Sequence, residues 1–405
     1  MRRAQVFVLA GEPSGDMLGG RLLKALEDQA GDRLEFFGVG GPRMAERGLV
    51  SLFPMEELSL IGFTEVLPHL PRLAHRLRRT AAEIRRRRPA LALTIDSPGF
   101  ALRLQRRLAG LPLLRLHYVA PQVWAWRQQR AARLAGDVDH LLALLPFEPP
   151  FFERYGLACS FVGHPITEEA PRQGDGERFR RRYEVPLDAP LICVLPGSRR
   201  SEVGQHLPLL GQAATMLWQR FPRIRLVLPT LGSLAPLVKQ LVARWRLPVI
   251  VLEDRAERFD AYAASWLAIA ASGTVSLEAA LAGLPMITIY RTGPVTAWLA
   301  RRLIKVPHVN LVNLILGRPA VPELLQEDCH SERIAATAGR LLEDDELRAS
   351  QRDALAEAVM RLGAADARPP SQRAAARVLE IMEQRGGSHD PRYQQVSPAA
   401  HHAPG

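Results

Sequence analysis

Three short segments combine glycine with acidic, hydroxyl or basic side chains directly after apolar runs: Gly11–Gly20, Leu195–Glu202 and Ala271–Ala280. Each leads from a predicted strand into a predicted helix. Glycine lets a backbone approach a ligand closely, and the N-terminus of a helix favours an anion. Ser198 and Arg199 of the second segment suit a diphosphate, with a solvated arginine pair as the alternative. The second and third segments therefore indicate a phosphorylated ligand.

Of the three segments, Ala271–Ala280 gives the most specific nucleotide signal. The backbone amides and hydroxyls of Ser272, Gly273 and Thr274 precede the predicted helix and would face a phosphate. Glu278 lies one turn into that helix, where its carboxylate can accept hydrogen bonds from ribose hydroxyls. These residues predict a nucleotide site at the end of a strand.

Asp96 is a candidate general base. It ends the apolar run that begins at Leu91, which places it at the carboxyl edge of the predicted sheet, where such sheets bind ligands. The alternative is a loop aspartate that caps the next helix. In the first glycine segment, Glu12 and Ser14 indicate a ligand, whereas the alternative is a plain strand-to-helix turn with Asp16 as its N-terminal anion.

Apolar runs alternate with helical patterns along the chain, which predicts parallel strands joined by helices. The predicted strands include Val6–Ala10, Leu91–Ile95, Leu113–Tyr118 and Leu141–Leu145, then Leu191–Leu195, Leu226–Leu228, Val249–Leu252, Leu267–Ala270 and Met286–Ile289. The fold class is therefore α/β, with two Rossmann-like doubly wound domains facing a cleft. We predict a first domain over 1–167, a nucleotide-binding domain over 185–345, C-terminal helices over 346–385 that pack back across the domains, and a disordered tail over 386–405.

Composition limits the classes of protein. The 405 residues are 47% hydrophobic and 23% charged, which suits two globular domains. A formal net charge of +11 favours a polyanionic partner. The 3 cysteines form no CxxC pair, so a disulfide scaffold, a zinc ribbon and a thioredoxin-like motif lack support. The apolar run near the N-terminus is too short for a signal peptide, and we expect a reducing cytoplasm.

The segment Leu58–Leu73 has an apolar stripe and is followed by the cations of His75–Arg79 and Arg85–Arg88. This pattern is typical of a segment that lies at a membrane surface, with an amphipathic core helix as the alternative. The predicted membrane-contact residues are Leu60, Ile61, Phe63, Val66, Leu67, Leu70 and Leu73. Leu299–Lys305 repeats the pattern in the second domain.

Several motifs together resemble the lipid-A-disaccharide synthase family. They include Gly11–Asp16, Gly38–Met44, Gly62–Leu67, Asp96–Pro98, His117–Arg127, Leu145–Glu148, Phe161–Pro165, Leu195–Glu202, Ala271–Glu278, Asn310–Leu314 and Val321–Gln326. The aromatic block His117–Arg127 is particularly distinctive. The chain departs from the usual family pattern at Pro13, Asn310 and Val312.

The resemblance implies the GT-B architecture and an inverting, metal-independent glycosyl transfer without a cofactor. The implied reaction joins UDP-2,3-diacylglucosamine to 2,3-diacylglucosamine 1-phosphate through a β-1′,6 linkage and releases UDP. Asp96, with Glu12, would assist deprotonation of the acceptor 6-hydroxyl. Arg199 would stabilise the negative charge on the departing UDP. The implied donor contacts are Ser198, Arg199, Ser272, Gly273, Thr274, Glu278, Arg291 and Asn313. The implied acceptor contacts are Ser14, Gly15 and Met17.

Both lipid substrates imply a cytoplasmic enzyme of a Gram-negative bacterium, bound peripherally to the inner face of the inner membrane. The resemblance leaves open whether the chain forms a homo-oligomer. One rival is a UDP-sugar 2-epimerase of the same fold, which needs no lipid-facing helix such as the one predicted near Leu58–Arg79. A nucleic-acid-binding protein is the other rival, but the arginines are spread over both domains and no recognition motif accompanies them.

Overall fold

A computed structural model of the chain describes residues 3–59, 66–126, 128–168 and 174–386. The chain divides into two compact units. The first comprises Met1–Pro165 together with Asp366–Gly405, and the second comprises Ile166–Ala365. The second unit is continuous in sequence, whereas the first is completed by the C-terminal segment.

The first unit is built on a parallel sheet whose strands are mostly buried apolar runs. Its strands are β1 (Ala4–Ala10), β2 (Leu34–Val39), β3 (Val50–Ser51), β4 (Leu91–Ile95), β5 (Leu114–Tyr118), β6 (His140–Ala143) and β7 (Cys159–Phe161). Its helices before the second unit are α1 (Pro13–Ala30), α2 (Pro42–Ala45), α3 (Glu56–Ser59), α4 (Val66–Arg87), α5 (Pro98–Arg107), α6 (Val123–Trp126), α7 (Arg130–Asp137) and α8 (Glu148–Glu153). Within the described residues the strand order is β3-β2-β1-β4-β5-β6-β7.

The second unit repeats this organisation. Its strands are β8 (Leu191–Leu195), β9 (Arg225–Pro229), β10 (Val249–Leu252), β11 (Leu267–Ala271), β12 (Met286–Tyr290) and β13 (Glu323–Leu325). Its helices are α9 (Gly176–Arg182), α10 (Arg200–Arg220), α11 (Ala235–Val242), α12 (Arg258–Ala264), α13 (Val275–Leu281), α14 (Pro294–Leu303), α15 (Leu311–Leu316), α16 (Ser331–Glu343) and α17 (Asp345–Val359). Across its described part the order is β10-β9-β8-β11-β12-β13. The predicted α/β class with two Rossmann-like units is confirmed.

A final helix, α18 (Pro370–Gly386), packs against α1 of the first unit. Its small and apolar residues Ala374, Ala375 and Val378 are fully buried in the same core as Leu22 and Leu26 of α1. Small side chains at adjacent turns let two helices approach closely, which buries apolar area from both. The C-terminal segment therefore belongs to the hydrophobic core of the first unit.

Helix α4 carries much of the predicted membrane segment. Leu77, Ala81 and Ile84 of its C-terminal part are buried, and Leu73 is half-buried against the core. Of the predicted contact residues, Leu60, Ile61 and Phe63 lie outside the described residues, and Val66, Leu67 and Leu70 lie in the first turns of α4. The C-terminal half of α4 is thus a core helix of the first unit.

None of the helices in the described part of the chain is both long and apolar enough to span a bilayer.

Candidate active site

Within each unit, the register of the parallel sheet places the predicted ligand-binding turns at its carboxyl edge. Ala10 of β1 pairs with Ile95 of β4, so the turn after β1 and the residue Asp96 leave the sheet side by side. In the second unit Leu195 pairs with Ala270, and Ala271 pairs with Ile289, so the turns after β8, β11 and β12 lie at one edge. Ligands of doubly wound sheets bind at such carboxyl edges.

Glu12, Ser14 and Asp96 meet at the edge of the first sheet. Ser14 Oγ donates a hydrogen bond to Asp96 Oδ2 at 3.4 Å, and Asp96 Oδ1 accepts from the backbone N–H of Ser97 at 2.8 Å. Partial burial and the negative charge of Asp96 raise the pKa of Glu12. Two carboxylates with different environments are therefore available for proton transfer at this edge.

The backbone around Asp96 is tightly constrained. Asp96 and Ser97 both have positive φ, at 52° and 48°, a region that non-glycine residues rarely adopt. A Cβ on Gly11 would lie 2.5 Å from Ser97 Oγ, so only glycine lets the turn after β1 pass this close to Ser97. The Asp96 N–H donates to the Tyr118 carbonyl at 2.9 Å, which ties the strained pair to β5. The backbone at Asp96 is thus constrained from both sides.

Asp16 has a structural role. Its buried carboxylate accepts hydrogen bonds from the backbone N–H groups of Gly41, Arg43 and Met44 at 2.8, 3.0 and 3.1 Å. These groups begin α2, so Asp16 caps that helix from a distant part of the chain. Of the predicted acceptor contacts, Met17 is exposed and Ser14 contacts Asp96, whereas Gly15 is buried against Ala10 and Ile95.

A buried polar cluster lies beneath the end of β4. Thr94 Oγ1 contacts His117 Nδ1 at 2.8 Å, and Gln105 Nε2 donates to Thr94 Oγ1 at 3.0 Å. Burial lowers the pKa of His117 to about 4, so the ring is neutral at physiological pH. The cluster connects β4, β5 and α5. Its member Thr94 stands two residues before Asp96, so the cluster helps to hold the end of β4 rigid.

The aromatic block is held by a buried carboxylate, Glu148. Its Oε1 accepts from Trp124 Nε1 at 3.1 Å, and its Oε2 accepts from the N–H groups of Leu144 and Leu145 at 3.1 and 2.9 Å. Burial raises the pKa of Glu148 to about 7 although these three donors favour its charged form. The Trp124 ring packs edge-on against Phe147 with centroids 4.9 Å apart. Glu148 therefore joins α6 to the turn after β6.

In the second unit, Glu202 shapes the turn that carries Ser198 and Arg199. Its Oε2 accepts from the N–H groups of Ser198 and Arg199 at 3.0 and 3.3 Å, and its Oε1 accepts from the Arg199 guanidinium at 2.7 Å. Gly197 has φ of 120°, which allows the chain to turn sharply toward α10. The Arg199 side chain remains largely exposed, at 75%. It is therefore open to solvent on the side away from Glu202.

The turn after β11 places Ser272, Gly273 and Thr274 ahead of α13. Ser272 Oγ donates to the Val309 carbonyl at 3.1 Å, and Thr274 is exposed. Glu278 lies one turn into the helix and is half-buried. Tyr262 Oη donates to its Oε2 at 3.2 Å, and Arg258 lies 3.4 Å from its Oε1. These two neighbours orient the Glu278 carboxylate.

Asn313 is fully buried, and its amide is engaged within the protein. Its Nδ2 donates to the Val321 carbonyl and to Glu323 Oε1, both at 2.8 Å, and its Oδ1 accepts from the N–H groups of Ala320 and Val321 at 2.9 and 2.8 Å. Two donors and two acceptors exhaust the hydrogen-bonding positions of an amide. The expected direct contact with the donor is therefore not available to the Asn313 side chain in this arrangement. Arg291 by contrast is exposed beside the end of β12.

The departures from the family pattern at Pro13 and Asn310 have local explanations. Pro13 occupies the first position of α1, where a proline costs no hydrogen bond. The Asn310 side chain caps α15 by accepting from the N–H groups of Val312 and Asn313 at 2.7 and 3.4 Å. Its Nδ2 donates to Thr288 Oγ1 at 2.6 Å. Both residues therefore suit the helix starts at which they stand.

The acidic pair Asp137 and Asp139, which directly precedes β6, is structural. Asp137 forms a bidentate ion pair with Arg106 at 2.7 and 2.9 Å. Asp139 pairs with Arg115 at 2.7 Å. Elsewhere in the described residues, no group of three or more histidine, cysteine, aspartate or glutamate side chains is arranged to hold a metal ion.

Three residues that shape the site were assigned no role from the sequence: Glu148, Glu202 and His206. Glu202 stands three residues after Arg199, at the position of a capping-box glutamate, and this spacing is a recognisable signal. Glu148 and His206 have no such signal, because the partners of each include residues far away in the sequence.

Solved structures with the same fold include nucleotide-sugar enzymes. A putative UDP-N-acetylglucosamine 2-epimerase from Listeria monocytogenes superposes with a TM-score of 0.62 over 96% of this chain and 98% of its own, at 13% identity. The calicheamicin glycosyltransferase CalG4 superposes with a TM-score of 0.57 over 96% of this chain and 100% of its own, at 16% identity. At such identities the similarity shows the fold alone, which is the GT-B architecture.

Sequence relatives are far more similar. The lipid-A-disaccharide synthase of Rhodospirillum centenum is 51% identical over 95% of this chain and 96% of its own length. The lipid-A-disaccharide synthase of Gluconobacter oxydans is 44% identical over 94% of this chain and 91% of its own length. A family model described as lipid-A-disaccharide synthetase matches residues 6–378, which include both sheet edges. With both carboxyl edges inside that match, the chain belongs to the lipid-A-disaccharide synthase family.

Proposed function

We propose that this chain joins UDP-2,3-diacylglucosamine to 2,3-diacylglucosamine 1-phosphate and releases UDP. The observation that carries the proposal is the family match over residues 6–378, which spans the turns after β1, β4, β8, β11 and β12. The acceptor 6-hydroxyl oxygen attacks the anomeric carbon of the donor and loses its proton to a base. The bond from that carbon to the diphosphate oxygen breaks with inversion, which gives the β-1′,6 linkage and UDP.

On the acceptor side, Asp96 is the proposed base. Its carboxylate lies at the carboxyl edge of the sheet and receives a hydrogen bond from Ser14, so its orientation is fixed before substrate binds. Glu12 shares this edge, and its raised pKa suits a group that holds or relays a proton. Ser14 and Met17 would contribute acceptor contacts through a hydroxyl and an exposed apolar side chain, whereas the buried Gly15 would let α1 pack closely against the sheet.

On the donor side, two turns, one carboxylate and one further arginine are the proposed contacts. Ser198 and Arg199 would bind the diphosphate, and the Arg199 guanidinium would offset the charge that grows on departing UDP. The turn formed by Ser272, Gly273 and Thr274 would add backbone and hydroxyl donors. The remaining proposed contacts are Glu278 to the ribose and Arg291 to the diphosphate. Asn313 would act indirectly, by holding the loop after α15.

We also propose peripheral binding to the inner face of the inner membrane from the cytoplasm. Both substrates carry acyl chains, so the enzyme must reach lipids at a bilayer surface. The exposed side chains of His75, Arg78 and Arg79 on α4 and the net charge of +11 support an attraction to anionic lipid headgroups. The apolar residues at the start of α4 and before it would supply the buried contact.

The decisive experiment is incubation of the purified protein with both lipid precursors, with and without a chelator. Formation of UDP and the disaccharide in equal amounts is the expected result in both cases. Absence of both products overturns the proposed reaction, and loss of activity in the chelator overturns metal-independent transfer. Incubation with UDP-N-acetylglucosamine alone tests the epimerase rival, for which the fold similarity at 13% identity is the support. We expect no epimer to form.

A further inference from the structure

His206 is a fully buried residue of α10 that contacts two separate turns of the second unit. Its Nδ1 lies 2.7 Å from the carbonyl oxygen of Pro196. Its Nε2 lies 3.1 Å from the backbone nitrogen and 3.2 Å from the carbonyl oxygen of Arg291. The ring also packs against Tyr290, with centroids 5.8 Å apart. One imidazole thus spans the distance between the turn after β8 and the turn after β12.

The partners determine which ring nitrogen carries a proton. A proline carbonyl can only accept, so Nδ1 must donate to Pro196. The Arg291 N–H can only donate, so Nε2 of the neutral ring accepts from it. A protonated ring would instead donate from Nε2 to the Arg291 carbonyl. In either state the imidazole links the two backbone segments, which a side chain with one polar group could not do.

The strands that precede these two turns, β8 and β12, are not neighbours in the described sheet. In the described sheet, β11 lies between β8 and β12, so the turns that follow β8 and β12 are two strands apart. Pro196 immediately precedes Gly197–Arg199, whereas Arg291 immediately follows β12. A connection through His206 therefore sets the spacing of two segments that the sheet alone does not fix.

We propose that His206 is a positioning residue for the UDP-sugar donor. It holds the turn that carries Ser198 and Arg199 at a fixed distance from Arg291, so that both cations reach one diphosphate. The proposal rests on the proposed function, because it requires that these two turns bind the donor. It predicts that loss of His206 weakens binding of UDP itself and leaves the acceptor site unchanged.

Three variants separate the two contacts of the ring. His206→Asn retains an amide donor near the position of Nδ1, His206→Gln retains an amide acceptor near the position of Nε2, and His206→Leu retains neither. The matched control is His140→Leu in the first unit, because His140 is also buried and contacts Ser160 Oγ at 2.9 Å. Each protein is assayed for the Kd of UDP by calorimetry, for kcat, for the KM of each lipid substrate, and for Tm.

We expect His206→Leu to raise the Kd of UDP and the donor KM about tenfold, which corresponds to about 1.4 kcal/mol. His206→Asn and His206→Gln should each raise both constants about threefold, which is close to half of that free energy. The acceptor KM should not change in any of them. His140→Leu should lower the Tm without changing the Kd of UDP.

The proposal is overturned if folded His206→Leu binds UDP with the Kd of the unchanged protein. If that variant does not fold, unchanged Kd values for both His206→Asn and His206→Gln overturn it equally. A lower Tm without any change in UDP binding would reduce His206 to a purely structural residue. Failure of the unchanged protein to bind UDP or to form disaccharide would instead contradict the proposed function, so the two failures are distinguishable.

Discussion

The hydroxyl of Ser14 donates a hydrogen bond to Asp96 Oδ2 at 3.4 Å, which joins the start of α1 to the end of β4. The bond crosses 82 residues of sequence, and it exists because Ala10 and Ile95 pair in register. It leaves the remaining acceptor positions of the Asp96 carboxylate to the N–H of Ser97 and to a substrate hydroxyl.

Asp96→Asn tests the proposed base. The amide keeps the shape of the carboxylate but cannot take the proton of the acceptor hydroxyl, so kcat should fall by about 10²–10⁴-fold. The Kd of UDP should stay unchanged, because the lost charge acts on the acceptor. Steady-state kinetics and calorimetry measure the two quantities. Turnover close to that of the unchanged protein would remove Asp96 as the base.

The same variant should shift the titration of Glu12. The negative charge of Asp96 contributes to the raised pKa of Glu12, so its removal should lower that pKa toward the usual glutamate value. Carboxyl-carbon NMR of the Glu12 side chain over pH 3 to 8 would measure this change. Glu46 is an exposed glutamate that serves as an internal control. An unchanged Glu12 titration would contradict the coupling of the two carboxylates.

Gly11→Ala should disturb the catalytic edge through a steric clash. The added Cβ would lie 2.5 Å from Ser97 Oγ and 2.9 Å from Ser97 Cβ, so the segment that contains Asp96 must move. We expect kcat to fall at least about tenfold and the free energy of unfolding to fall by about 1–3 kcal/mol. Gly99→Ala is the matched control, since its Cβ meets no atom within 4 Å. Equal behaviour of the two variants would refute the clash.

Stability should fall as the pH decreases from about 6.5 toward 4. Burial lowers the pKa values of His117, His140 and His164 to about 4, so below pH 6.5 the unfolded chain binds more protons than the folded one. Each histidine contributes about 1.4 kcal/mol per pH unit in this window. Glu148, whose pKa is raised to about 7, has the opposite effect and offsets one histidine. In this window the folded chain keeps the proton of Glu148, whereas the unfolded chain has lost it. For these four groups taken together, the slope corresponds to about two protons.

Urea unfolding at several pH values measures this slope. His117→Gln should reduce it by about one proton, because the buried ring that must stay neutral is gone. Glu148→Gln should increase it by about one proton, since the opposing group is removed. A slope that neither variant alters would show that other groups govern the acid sensitivity.

Replacement of Leu67 and Leu70 by serine should reduce binding to vesicles that contain anionic lipid, with little effect on Tm. The reason is that the proposed contact depends on apolar area that enters the headgroup region. Leu77→Ser on the same helix is the control, because Leu77 is buried in the core. That control should lower the free energy of unfolding by about 2 kcal/mol or more. If the double variant unfolds instead, the start of α4 is a core element.

The sequence by itself determined the fold class and several strands. Leu91–Ile95, Leu191–Leu195 and Val249–Leu252 coincide with β4, β8 and β10, because each is a short apolar run that ends at polar or turn residues. Strand β2, Leu34–Val39, has a weaker local signal, since it includes Glu35 and Gly38 and is held by its register with β1. The glycine turns were found from sequence because glycine, hydroxyl and charged residues lie together along the chain.

Only the tertiary structure decided which of these residues are free to meet a ligand. Asn313 has the residue type of a donor contact, but its amide is engaged by Ala320, Val321 and Glu323. His206 has no local pattern, but it connects Pro196 with Arg291, which is 85 residues away. Periodicity and motifs report what neighbouring residues can do, whereas hydrogen bonds between distant backbone segments exist only after the sheet has set its register.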